Sequence, residues 1–436
     1  MCIICTLNSQ DLESLTLLDC SGCTIPETLV NLTKLDCNGC TIPETLVNLT
    51  RLNCNGCTQL TTIPETLENL TILTCFNCPL LANIPETLEN LTAISCSGCT
   101  LLTSVSKTLI NLTELICFDC PLISSIPDTL VNLKKLNCVS CPLANIPETM
   151  VTLTKLYCSK CSLLTNIPKT LTNLIELSCF GCPLLTSIPE TLINLQKLNC
   201  DDSPLLTCIP DTLVQLTGIT CANCPLLSCI PDTLINLIDL YCFECRLLSC
   251  IPNTLVHLTK LRCFECPLLA SIPETLVQLT ELICFGCPLL SCIPKTLVQL
   301  TGLACANCPL LSCIPDTLIN LTELYCFGCP MLISIPKTML NLTTLNCMGC
   351  SLLSSIPETP INLTELNCDD CPWLKQNIGR VEYDKKIKLL LNCQRQAKKW
   401  LSVYQCKRVQ KRHTKFVDEL LMTAMHPDRM EWLGLF

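Results

Sequence analysis

The sequence predicts an α/β solenoid in which one long parallel sheet is built from short strands, each joined to the next by a compact return segment, with a small helical segment at the C-terminus. Three observations lead there. Ile-Pro, replaced once by Val105-Ser106, recurs from Ile25 to Ile356 with a period of 21 residues, interrupted by one 17-residue step at the start and one 20-residue step in the middle. Around each copy stands the frame Leu-x-x-Leu-x-Cys-x-x-Cys-x-Leu/Met, in eighteen units of which the first begins at Leu15 and the last at Leu363. Charge then divides the chain: residues 372–436 hold fourteen Lys and Arg against six Asp and Glu, whereas residues 1–371 hold fourteen against thirty-one. The expected organisation is a repeat array over 1–371, with a degenerate extra unit in "CIICTL" at the start, and a basic helical tail over 372–436.

Alternation in Leu-x-Cys is the period of a β-strand, and a strand this short buries its inner face only by stacking on the next unit. Roughly ten residues remain for the way back, too few for a long helix; Pro followed by an acid, as in Pro315-Asp316, suits a single short helical or 3₁₀ turn. Eighteen strands at roughly 4.8 Å give an arc of about 85 Å. The 44 Cys, 29 Pro and 12 Gly express the bias of a repeat rather than a globular mixture. No stretch reaches the ~18 apolar residues of a membrane span. The start, "MCIICTLNSQDLES", has no basic n-region and no long apolar core, so a cytoplasmic protein, neither secreted nor transmembrane, is expected.

The frame is similar to the leucine-rich repeat template L-x-x-L-x-L-x-x-N/C-x-L, with Cys at its sixth and ninth positions. The linker "IPxTLxNL" resembles that of bacterial effector repeats, and "LxxIPETLxNL" also resembles the repeats of plant resistance receptors. The resemblance implies a right-handed horseshoe with the parallel sheet on its concave face.

Seventeen of the eighteen units keep both cysteines; the exception pairs Cys200 with Ser203. Two Cys-x-x-Cys pairs fifteen to twenty residues apart also satisfy a zinc-ribbon pattern. The template, however, puts both sulfurs where small buried residues belong, so core packing is the expected role, with no metal and no cofactor. The thiols just before Ile-Pro, at Cys208, Cys229, Cys250, Cys292 and Cys313, are expected to extend that packing. Asn-Leu-Thr at Asn31, Asn48, Asn69, Asn90, Asn111, Asn320, Asn341 and Asn362 is formally a glycosylation sequon, but it comes with the repeat and is expected to be unmodified.

The template turns the third, fifth, seventh and eighth residues of each unit outward from the sheet. All ten aromatic residues of the array sit at the fifth or seventh. Their density peaks at Tyr241 with Phe243, Arg262 with Phe264, and Ile283 with Phe285; Asp239, Glu244, Lys260, Glu265 and Glu281 supply charge beside them. Tyr325 with Phe327 adds a later patch. Aromatic residues facing solvent in register are what a protein-binding surface uses, and this set is the expected partner-binding site. A plain ladder of rings is the other reading, because units 11 and 12 nearly duplicate units 15 and 16.

In the tail, Trp373 suits a cap over the last unit, and Ile387, Leu390, Leu391, Ala397, Trp400, Leu401 and Tyr404 recur at helical spacings among basic residues. Cys393, Cys406, His413 and His426 match no metal-ligand spacing. The stretch "AKKWLSVYQCKRVQKRHTKFVDELLMTAMHPDRMEWLGLF" resembles the tail of repeat proteins from giant viruses of amoebae, which implies a viral protein in the host cytoplasm or the virion. The sequence contains no phosphate-cradling glycine loop and no nucleophile elbow. The expected function is a non-enzymatic scaffold that binds a protein partner on the concave face. The alternatives are an adaptor recruiting host ubiquitination or signalling machinery through the tail, and a thiol-rich metal- or redox-buffering protein. Contact of the tail with nucleic acid or an acidic membrane is a further option.

Overall fold

Each unit's alternation puts its fourth and sixth residues on one side of a strand and its third and fifth on the other. The strands of the computed structural model, which describes residues 14–354, 356 and 363–371, follow that rule. The degenerate unit "CIICTL", Asn362 and the whole basic tail lie outside the described residues. Every one of the eighteen predicted units contributes one strand: β1 (Leu17–Ser21) and β2 (Lys34–Asn38), then three-residue strands from β3 (Arg51–Asn53) to β18 (Glu365–Asn367). Each pairs in parallel with the next, identical positions opposite one another, as Leu18 with Leu35 and Cys20 with Cys37. The result is one eighteen-stranded parallel sheet along a solenoid.

Seven residues per unit fill the core. In the unit of β16 (Glu323–Tyr325) these are Leu321, Leu324, Cys326, Cys329, Leu332, Ile335 and Met339, none more than 4% exposed. Burying a leucine contributes about 1.5–3 kcal/mol, so stacking rather than any single strand holds the array together. On the return side, hydroxyls and amides tie neighbouring units: Thr254 Oγ1 donates to Asp232 O at 2.7 Å and Asn236 Nδ2 to Val214 O at 3.0 Å. The sequon asparagines belong to this ladder, with Asn48 Nδ2 donating to Val30 O at 2.8 Å and Asn320 Nδ2 to Val298 O at 3.0 Å.

The turn expected at Pro315 closes with one bond, Leu318 N to Pro315 O at 3.4 Å; the next amide, Ile319 N, bonds Thr317 O two residues back at 2.9 Å. A second turn follows with Leu321 N to Leu318 O at 3.3 Å, but the two bonds are not consecutive, so the segment is a pair of β-turns and does not become helical.

The structure settles one point the frame left open and corrects one expectation. The eleventh-position leucine of the frame faces out, and the twelfth is the core residue: Leu310 is 51% exposed and Leu311 fully buried. The cause is a β-turn between the ninth carbonyl and the twelfth amide, Leu311 N to Cys308 O at 3.1 Å, with Pro309 at its favoured second corner and Leu310 at the third. The thiols before Ile-Pro do not extend the packing either. Cys208, Cys229, Cys250, Cys292 and Cys313 are exposed, because the inward position beside them is taken by the isoleucine that follows.

Candidate protein-binding surface

The paired cysteines carry the frame. The sixth-position thiols are buried, and from the third unit on the ninth-position thiol reaches back to the sixth-position carbonyl of the unit before it: Cys266 Sγ donates to Cys242 O at 3.2 Å and Cys329 Sγ to Cys305 O at 3.2 Å. Burial pushes the Cys287 thiol up to about 11 and the Cys329 thiol to about 12, so both stay protonated donors. At the one exception, Ser203 Oγ donates within its own unit, to Asp201 O at 3.4 Å; a C–O bond is too short to span the gap that a C–S bond crosses. Among the described residues no group of three or more His, Cys, Asp or Glu is placed to hold a metal.

On the outer face, β12 (Asp239–Tyr241), β13 (Lys260–Arg262) and β14 (Glu281–Ile283) set Asp239, Lys260 and Glu281 in one row and Tyr241, Arg262 and Ile283 in the next. Arg262 is held from two sides. Its Nε meets Glu281 Oε1 at 2.8 Å, and its Cζ lies 4.9 Å from the centre of the Tyr241 ring. Both partners of the ion pair are well shielded, their side chains 12% and 16% exposed. Burial pushes the Tyr241 hydroxyl up despite the nearby guanidinium, and burial likewise raises the Asp239 carboxyl against the pull of Lys260.

Beyond the strand ends the chain brings Phe243, Phe264 and Phe285 together. Their rings stack at 4.3 and 4.4 Å with interplanar angles of 8° and 12°. Each is half-buried by its neighbours rather than left facing solvent. The ladder reading and the strip reading therefore describe one object: a continuous apolar edge three units long.

The residue after each ring shows what sequence reasoning missed. The eighth residue of all eighteen units has positive φ, and it is Gly, Asn or Asp in fourteen of them. Glu244 (φ 58°) and Glu265 (φ 54°) occupy it beside the stack, where a residue with a Cβ costs about 1–2 kcal/mol. Gly286 follows in the next unit, and a Cβ there would meet Glu265 Cγ at 3.1 Å. Burial, Glu265 and Asp202 together raise the Glu244 carboxyl.

Tyr325 and Phe327 lie two units further on, outside the stack. On the same strand as Tyr325 the structure adds a residue the sequence did not single out: Glu323, whose Oε2 is buried without a hydrogen-bond partner among the described residues. Burial and the nearby Glu365 and Glu281 push its carboxyl up. Its signal was the third-position row Glu281, Gly302, Glu323, Thr344, Glu365, which contains no cation. The sequence also gave no weight to two exposed aliphatic columns on the return segments, exemplified by Leu268 and Leu289 and by Val277 and Ile319.

No family model and no curated protein matches this chain. Solved structures do. One is a leucine-rich repeat protein of Leptospira interrogans, 22% identical, with 88% of this chain and 96% of that one covered at a TM-score of 0.58. Another is the functional domain of InlJ from Listeria monocytogenes, which includes a cysteine ladder, 25% identical over 70% of this chain and 69% of that one, TM-score 0.61. The chain has the leucine-rich repeat fold. The leucine-rich effector YopM of Yersinia pestis shares this fold at 20% identity, covering 71% and 86% of the two chains at a TM-score of 0.56. Among the described residues no helix is long and apolar enough to cross a membrane.

Proposed function

We propose that this leucine-rich repeat chain is a non-enzymatic cytoplasmic scaffold, its 1–371 array holding a protein partner on the concave face around residues 239–285 and its 372–436 tail serving as a cap. The observation that carries the reading is the Phe243–Phe264–Phe285 stack flanked by Glu244 and Glu265 in left-handed backbone. Non-glycine residues persist in such conformations where surrounding structure holds them, and they concentrate at functional sites. A preordered apolar edge loses little side-chain freedom on binding, which favours affinity.

The charge pattern narrows the partner. Asp239, Glu244 and Glu265 border the strip, and Glu323 holds an unmatched carboxylate oxygen, so the complementary surface presents apolar side chains with basic ones beside them. The array's excess of acids disfavours nucleic acid on this face. Replacing Tyr241, Phe243 and Phe264 together by Ala, with folding followed by circular dichroism, is the test. The reading requires that proteins captured by the parent chain from its native cell are lost by the folded variant, and an unchanged set would refute it.

A further inference from the structure

Outside both the core and the proposed binding face, the turns beyond the strand ends carry an apolar ribbon. In ten successive units, from the one beginning at Leu153 to the one beginning at Leu342, the eleventh residue is leucine, or once Met331, and is 42–51% exposed. All ten turns close as at Leu311, twelfth amide to ninth carbonyl, at 3.1–3.3 Å, so the backbone holds every one of these side chains at the same outward corner. The fold does not call for leucine there. Gln59 occupies the corner in an earlier unit whose turn closes alike, Leu60 N to Cys57 O at 3.0 Å, and in the unit of Leu143 the corner residue is missing, with Leu143 N on Cys141 O at 2.8 Å. Copying of units does not account for the uniformity either. Across the same ten units the third residue has run through Lys155, Glu176, Gly218, Asp239 and Thr344, while the eleventh has stayed apolar.

Charge is kept off this ribbon. Among the fifty residues at the tenth to fourteenth positions of the ten units Arg246 alone is charged, in an array that holds thirty-one acids. The second exposed aliphatic column lacks that neutrality: Val214, Val277 and Ile319 each follow an acid by three residues, Asp211, Glu274 and Asp316. At roughly 80 Å² of exposed surface each, the ten ribbon side chains offer about 800 Å² before their neighbours are counted, which is the share per partner of a standard interface and more than the largest apolar patch of a typical monomer.

We propose that this ribbon is the contact surface of a homodimer, its occupant a second copy of this chain. A uniform, neutral column is its own complement, and a closed two-fold interface needs a patch that matches itself. An axis between the units of Leu247 and Leu268 runs the ribbon antiparallel onto its copy, so that Leu247 meets Leu268 of the partner subunit and all ten units overlap. Any other register leaves leucines at both ends in water. A charged partner surface fits poorly, because the ribbon has nothing to pair with the charges it would desolvate. Lipid fits less well too: elements that lie on membranes surround their apolar residues with Lys and Arg and place Trp or Phe among them, whereas the ribbon has one arginine and no aromatic ring. The pairing leaves the outer face of the sheet free in both copies, so it stands independently of the partner-binding reading above.

Sedimentation of the full chain under reducing conditions is the test. The parent should run at twice the 48.2 kDa chain mass at micromolar concentration. Leu247→Glu with Leu268→Glu sets four carboxylates about the axis and should give a monomer with the parent's circular dichroism spectrum. If that chain does not fold, Leu247→Gln with Leu268→Gln, the residue type of Gln59 at the same corner, takes its place and should raise the dissociation constant about tenfold or more. Val256→Glu with Val277→Glu, on the second column, should remain a dimer. A parent chain that stays monomeric at tens of micromolar overturns the proposal, and flotation of that monomer with phosphatidylcholine vesicles would assign the ribbon to lipid. A dimer that survives both ribbon variants, or that only the valine variant breaks, overturns it too.

Discussion

Strands β6 (Glu114–Ile116) to β9 (Glu176–Ser178) and strands β12 to β16 share one frame and differ in what they place on the outer face. In the first region, charge is matched within the array. Lys135 Nζ meets Glu114 Oε1 at 2.6 Å, Lys155 Nζ meets Glu176 Oε1 at 2.9 Å, and the Tyr157 hydroxyl donates to Glu176 Oε2 at 2.6 Å. In the second, one ion pair is shielded under Tyr241, three rings form a continuous edge, and the Glu323 carboxylate keeps an oxygen unmatched. The frame supplies the fold equally in both. Of the two, the second holds the stacked rings and the carboxylate oxygen without a partner among the described residues, the features on which the proposed binding surface rests.

Substitutions that level this difference should act in a definite order. Replacing Phe243, Phe264 and Phe285 by Ala should weaken partner binding by more than about 3 kcal/mol, as expected for a hot-spot cluster. The same change at Phe76 and Phe118, tilted at 54° in the earlier units, should leave binding intact in a pull-down or calorimetric titration.

Next in size is a pH effect at the boundary between the regions. Asp201 accepts the Ala222 amide at 2.6 Å, and burial raises its carboxyl to about 7. A folded-state value above the unfolded one means that its contribution to stability is full below about pH 4 and is lost as pH rises through 7. Asp201→Asn should remove about 2–4 kcal/mol of that pH dependence, so thermal melts of parent and variant should diverge between about pH 4 and 7 and keep a constant difference above that, with the variant the more stable at pH 8. A flat difference would show that the carboxyl titrates normally.

Arg262→Ala should weaken partner binding by about 2 kcal/mol, because it removes a shielded ion pair and a ring contact together. Its control, Lys135→Ala, breaks an exposed pair and should change stability by less than about 1 kcal/mol in a denaturant titration and leave binding unmoved.

The fold was legible because two periods coincide: Leu-x-Cys alternates like a strand, and Ile-Pro repeats once per unit. Sequence could not choose between Leu310 and Leu311, since both are apolar and only the turn closing on Cys308 O decides which points inward. The same limit hid the exposure of Cys208 and its counterparts, whose neighbour Ile209 takes the inward place. The residues proposed to bind a partner were picked out by their column positions. Their contacts were not, because stacking of Phe243 on Phe264 and capture of Arg262 between Tyr241 and Glu281 depend on rotamers that no spacing encodes. The left-handed eighth residue was readable in principle from its run of Gly, Asn and Asp, and Glu244 and Glu265 stand out only against that run.

Photocrosslinking tests the central claim most directly. Benzoylphenylalanine placed at Phe264 should capture the partner in a single adduct, while the same group at Val277, exposed on the return segment, should capture none. Adducts from position 277 with none from position 264 would contradict the account and move the binding surface to the aliphatic columns.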